Sequence, residues 1–131
     1  MFENKNIALA LEENAIRRGP HPAIIEGAKT ITYQELDPMV RRIAGHLVDQ
    51  GVGEGSIIGV CLPDCADHLM INYAVARLGA VILPLDWRWT EVEKTNVAAF
   101  FKVSLIVGLP ESELAAFSFI SVDEAWHEAV G

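Results

Sequence analysis

Three short apolar runs, each followed or preceded by a stretch with helical periodicity, set the strongest limit on how this chain can fold. Ile57–Leu62 is almost wholly apolar, and Ala80–Pro84 and Ser104–Val107 are similar. Strands buried on both faces have this character. Between the first two lies Cys65–Leu78, where Leu69, Met70, Ile71, Tyr73, Ala74 and Ala76 make a helix apolar almost all round, predicting heavy cover. Between the second and third, Thr90 with Glu93 three residues on has the order of a capping box, and Val92, Val97, Phe100 and Phe101 predict the apolar side of a helix. A helical crossover returns the chain in the same direction, so two consecutive strand–helix–strand units require parallel strands and right-handed crossovers. The expected fold is α/β, doubly wound and mostly parallel, in three layers.

The residues before this core carry a short preface. Ile7, Ala8, Leu11, Ala15 and Ile16 fit an amphipathic helix over 7–18, stopped by Gly19-Pro20. Ala23–Ile25 and Thr30–Thr32 flank a Gly-containing turn and predict a hairpin. Thr32-Tyr33-Gln34-Glu35 predicts a second capping box, with the Glu35 carboxylate returning to the Thr32 amide. The stripe Val40, Ile43, Ala44, Leu47 and Val48 follows, ended by Gly51. Pro38 interrupts it, because its ring removes a donor and clashes with the Gln34 carbonyl. The sequence therefore predicts a break, with one turn over 33–36 and a fresh start from Asp37 with Pro38 in the first turn. At the other end, Pro110–Phe117 is expected as a short helix, Phe119–Val122 as a strand and Val122–Val130 as a helix capped by Ser121. The whole of 1–131 is one α/β unit, with 1–22 as leading helix and entry loop and 109–131 as its least defined part.

Charge narrows the function. Ten Lys and Arg against eighteen Asp and Glu give a net charge of −8, and residues 103–131 hold five acids and no base. A phosphate backbone repels such a chain, so nucleic acid is not an expected partner. No apolar run reaches the ~18 residues of a membrane span, and Met1–Lys5 lacks the basic-then-apolar order of a signal peptide. The chain is read as soluble and cytoplasmic. Cys61 and Cys65, four apart, match neither a C-x-x-C site nor a disulfide framework and are expected as reduced, mostly buried thiols. The four histidines pair with no Cys or carboxylate at ligand spacing, and no G-x-S-x-G elbow is present, so neither a metal nor a catalytic residue is assigned.

Ligands of open α/β sheets gather beyond the carboxyl ends of the strands. Gly51–Ser56 is rich in glycine, but it leaves a helix and enters a strand, the reverse of a phosphate loop, and is expected to be a turn. The strand ends carry Pro63-Asp64 and Leu85-Asp86-Trp87-Arg88-Trp89. Asp64 is expected to cap the next helix and Asp86 to make a turn. Arg88 between two tryptophans stands out, since a guanidinium held by aromatic faces presents a fork suited to phosphate.

Two segments carry a resemblance. Ile31-Thr32-Tyr33-Gln34-Glu35-Leu36 resembles the [L/I]-[T/S]-Y-x-E-L motif near the N-terminus of the adenylate-forming enzymes: acyl-CoA synthetases, luciferases and peptide-synthetase adenylation domains. Arg77–Asp86 resembles their second motif, [K/R]-x-G-A-x-x-x-P-[L/I]-[N/D]. The likeness runs from about Ile7 to Val107, with the motifs in order and at the expected separation. Asp86-Trp87-Arg88-Trp89-Thr90 is closer to the run of acyl-CoA synthetases than to that of peptide-synthetase domains.

The resemblance implies a two-step reaction. A carboxylate attacks the α-phosphate of ATP to give an acyl-adenylate, and the CoA thiol then displaces AMP. It implies ATP, magnesium and CoA for a full-length parent, and none of them for this chain alone. The family's Ser/Thr/Gly-rich phosphate loop, its aromatic-Glu motif, the ribose-binding Asp and the catalytic Lys are not found in these residues. The chain is therefore expected to be the N-terminal subdomain of a longer ligase and inactive by itself, with the remainder of the ligase as its partner. By the same resemblance Thr32 and Glu35 cap a helix, Tyr33 and Leu36 pack, Gly79 and Pro84 shape a turn and a strand end, and Arg88 meets the nucleotide phosphate of CoA. A second reading stays open: a non-catalytic partner-binding module, or half of a split ligase, which self-associates through an exposed sheet edge.

Overall fold

The computed structural model describes residues 6–131; Met1–Lys5, read above against a signal peptide, lie outside the described residues. Six strands and five helices follow in order: α1 (Ile7–Arg17), β1 (Pro22–Glu26), β2 (Lys29–Thr32), α2 (Tyr33–Asp49), β3 (Ile57–Cys61), α3 (Ala66–Arg77), β4 (Val81–Pro84), α4 (Glu91–Phe100), β5 (Leu105–Gly108), β6 (Phe119–Ser121) and α5 (Glu124–Val130). β1 and β2 form the expected antiparallel hairpin. The other four strands make one parallel sheet in the order β4-β3-β5-β6.

That order follows from the two crossovers. From β3 the chain steps outward through α3 to β4, then returns through α4 across β3 to β5. Two right-handed crossovers running in opposite directions put their helices on opposite faces. Period-2 alternation then divides the strand residues between two cores. Ile58, Val60, Leu105 and Val107 pack under α2, α3 and α5, whereas Cys61 and Ile106 face Ala98 of α4 and Leu114. The sheet is thus doubly wound. β3 and β5, where the connections diverge, meet closely at their carboxyl ends: a Cβ on Gly108 would lie 2.8 Å from the Cys61 carbonyl oxygen.

Several local expectations are corrected. α2 runs unbroken through Pro38. Leu36, Val40, Ile43 and Leu47 are all buried in a single helical phase, and a break would rotate Leu36 out of it. Pro38 and Gln34 lie on the exposed side, so water can serve the Gln34 carbonyl that loses its partner. Thr32 does cap the helix through the Glu35 amide, but Glu35 accepts from the Thr32 hydroxyl (3.0 Å), not from its backbone amide. In α1 only Ala8 and Leu11 are buried, and Ile16 is 86% exposed; Val48 likewise leaves the core.

On α4 the capping box of Thr90 and Glu93 is complete. Its buried residues, however, are Lys94 and Ala98, while Val92 and Phe100 are 68% and 78% exposed. Of the residues expected on its core side, Val97 packs half-buried against the core, whereas Val92, Phe100 and Phe101 are turned outward. α3 is buried along Met70, Ile71, Ala74 and Val75, with Leu69 exposed. After β5 the expected helix is only a 3-10 turn over Pro110–Ser112, and α5 is capped by Asp123 rather than Ser121, the Asp123 carboxylate accepting from the Trp126 amide at 2.9 Å.

Candidate functional site

The carboxyl ends of β3 and β4 open into a groove of about 520 Å³. One side is Leu62-Pro63-Asp64 with His68 from the first turn of α3; the other is Leu85 to Trp89. The chain rises here because Leu85, buried at 2% exposure, anchors the end of β4 while its amide still donates to the Val60 carbonyl at 3.0 Å. Asp86 then turns the backbone, and its carboxylate accepts the Arg88 amide at 2.9 Å.

The same carboxylate takes the guanidinium side-on, from Nε at 3.0 Å and Nη2 at 2.8 Å. This fork-on-carboxylate contact replaces the expected grip by indole faces. A bidentate charge-assisted pair outweighs a cation–π contact at an exposed position. Among the described residues the close ring contacts are His46 with Trp126 and Phe100 with Phe101, outside the groove. The Arg88 side-chain hydrogen bonds, followed by its backbone amide, hold the Asp86 carboxyl down at about 2. Asp86 in turn pushes the Arg88 pKa up. The Arg88 side chain remains 72% exposed. Its Nη1 and the second hydrogen of Nη2 are not used by Asp86, so the fork is oriented yet still has donors to offer.

Asp64 does not cap α3. The cap position is Cys65, which supplies no side-chain bond, and the orphan Ala66 amide donates instead to Glu26 Oε2 of the hairpin at 2.8 Å. Asp64 is left exposed on the groove wall. Neither cysteine is bonded; Cys61 is buried and Cys65 half-buried. Burial pushes the Cys65 thiol up, against the opposing His68 amide, so it stays protonated at neutral pH and is a poor nucleophile. The Pro63 carbonyl lies 3.3 Å from His68 Nδ1, which fixes the proton on that nitrogen. Gly51–Ser56 is a turn as expected, with the Gly53 amide spent on Ser56 Oγ (3.0 Å) and the Gly55 amide on the Gly79 carbonyl (3.0 Å).

Two residues near the site were not singled out from sequence. Glu26 acts across forty positions and left no local signal. Lys94 did leave one, because it shares a helical face with Ala98. Among the described residues no three His, Cys, Asp or Glu side chains gather as metal ligands.

The sequence profile of the AMP-binding enzymes matches residues 11–129. The chain belongs to the AMP-binding enzyme family. Among curated relatives of this AMP-binding chain, phosphinothricin tripeptide synthetase PhsC of Streptomyces viridochromogenes is 41% identical over 58% of the chain, which spans 7% of that protein. A medium/long-chain-fatty-acid–CoA/3-oxocholest-4-en-26-oate–CoA ligase of Mycobacterium marinum is 32% identical over 63% of the chain, or 15% of the ligase. In fold, the N-terminal subdomain of Klebsiella oxytoca NpsA matches 98% of the chain and 34% of its own length, with a TM-score of 0.87 at 18% identity. Both motifs of the AMP-binding resemblance take structural positions. Thr32 caps α2, Leu36 is buried, Gly79 turns with φ of +69° against Glu54, and Pro84 ends β4.

Proposed function

We propose that this chain is the part of an ATP-dependent acyl-CoA synthetase that forms the acceptor-facing wall of its cleft. In that reaction a carboxylate oxygen attacks the α-phosphorus of ATP and pyrophosphate leaves. The CoA sulfur then attacks the acyl carbon and AMP departs with the electron pair of the broken bond. The observation that carries the assignment is the exposed Arg88 fork, set by Asp86 at the carboxyl end of the sheet. Its free donors suit a phosphate of the CoA nucleotide, and its fixed orientation lowers the entropy cost of meeting it. The described residues supply no lysine-bearing glycine loop for the triphosphate, so the chain by itself binds the acceptor side and does not perform adenylation.

The test uses the ligase that contains this chain. Arg88→Gln should raise KM for CoA at least tenfold and leave carboxylate-dependent pyrophosphate exchange unchanged. An unaltered KM overturns the role of Arg88. Calorimetry on the isolated chain should show no Mg-ATP binding tighter than millimolar. A second reading is favoured by the peptide synthetase among the relatives, namely that the acceptor thiol belongs to a carrier protein. It predicts acyl transfer to a carrier-bound pantetheine thiol and none to free CoA.

A further inference from the structure

His68 and Trp87 line the groove together with Arg88, and neither has a task in the reading above. His68 stands half-buried in the first turn of α3. The Pro63 carbonyl, 3.3 Å from its Nδ1, can only accept, so in the neutral ring the proton is on Nδ1 and Nε2 holds a lone pair. Among the described residues no hydrogen bond or ion pair engages that Nε2. Trp87 is 47% exposed, and no ring contact among the described residues covers its indole. The groove thus combines an open aromatic face, an unspent acceptor and the Arg88 fork within about 520 Å³, inside the ~300–1,000 Å³ range of small-molecule sites.

These groups sort a ligand by its chemistry. An open indole takes a flat ring by stacking, and a guanidinium fork takes a phosphate. His68 Nε2 and the Asp64 carboxylate, both on the groove wall, are acceptors, so the ring edge that meets them must bring N–H donors. A ring carbonyl in that place sets lone pair against lone pair and leaves the half-buried acceptor unmet. Adenine satisfies the condition through its exocyclic amine; hypoxanthine, with a carbonyl at the same ring carbon, does not. An aliphatic acyl chain is less well matched, since it leaves Nε2 and the carboxylate without donors. We propose that His68 is a specificity-determining residue that selects an amino-bearing purine, the adenine of the CoA nucleotide, stacked on Trp87. This deepens the preceding reading and rests on Arg88 facing a phosphate of that nucleotide.

The ligase that contains this chain is assayed for inhibition against CoA by adenosine 3′,5′-bisphosphate and by inosine 3′,5′-bisphosphate, which carry the same phosphates and differ only in the ring. In the wild type the adenosine compound should compete roughly tenfold more tightly, the effect of one unmet acceptor. His68→Phe keeps a ring and removes the acceptor; it should cut that preference by about fivefold or more, with the inosine constant no weaker than in the wild type. His68→Gln sets an amide oxygen near the place of Nε2 and should restore the preference. Arg88→Gln should weaken both compounds by the same factor and leave the preference intact. If the wild type shows no preference, or His68→Phe weakens both compounds alike or changes neither, the inference about His68 is overturned while the reading of Arg88 stands. If neither compound competes with CoA, or Arg88→Gln changes neither constant, both fall.

Discussion

Asp86 and Arg88 form a pair that is set locally, two residues apart, and is open to solvent. The Asp86 carboxyl titrates at about 2 instead of its ordinary 3.8, first because the Arg88 side chain donates to it and next because the Arg88 amide does. A pKa depressed on folding stabilises the fold above the ordinary value, and that contribution is lost as pH falls from 3.8 through about 2. The pair is therefore intact across the physiological range. Arg88→Met should return the Asp86 midpoint toward 3.8, as read from carboxyl carbon shifts. A midpoint that stays put would show that the amide alone holds the carboxylate. The melting temperature should barely move, since an exposed pair contributes little to global stability.

At the scale of elements, Pro38 marks where local rules and tertiary packing disagree. Locally it argues for a break; the buried row Leu36, Val40, Ile43 and Leu47 requires one continuous phase, and the row prevails because its residues lie almost wholly out of water. Pro38→Ala should stabilise the chain by about 1–2 kcal/mol, less than the ~3 kcal/mol of a mid-helix proline because its site is exposed and near the helix start. Denaturant titration measures it, and a destabilised variant would mean that the ring itself is packed. The strands and both helix-capping threonines were legible because their signals are local: apolar runs, and a Thr three residues before a Glu. The outward turn of α4 was not. Val92 and Phe100 outrank Lys94 by hydropathy, yet the crossover from β4 to β5 decides which side meets the sheet. The groove was legible as a pair of strand ends; the Glu26 contact was not, since nothing near position 66 hints at position 26.

For the molecule as a whole, the two faces of the sheet are covered unequally. α1, α2, α3 and α5 crowd one side, while α4 and the segment after β5 cover the other. Phe100 at 78% exposure, Phe101 at 47% and Val81 at 50% on the outer strand β4 leave apolar area facing water. Such surface promotes association. The isolated chain should therefore associate with rising concentration in sedimentation velocity. Phe100→Glu and Val81→Lys separate the routes: if copies meet through the strand edge, only Val81→Lys restores monomers, and if neither does, these patches are not where copies meet. None of the helices described is long and apolar enough to cross a membrane.

The hydrogen bond from the Ala66 amide to Glu26 gives the small hairpin a mechanical duty. It ties the hairpin at Glu26 to the first residue of α3, just after Pro63 and Asp64 of the groove wall. Loss of that contact would leave the Ala66 amide without its partner just after the segment that carries Pro63 and Asp64 to the groove wall.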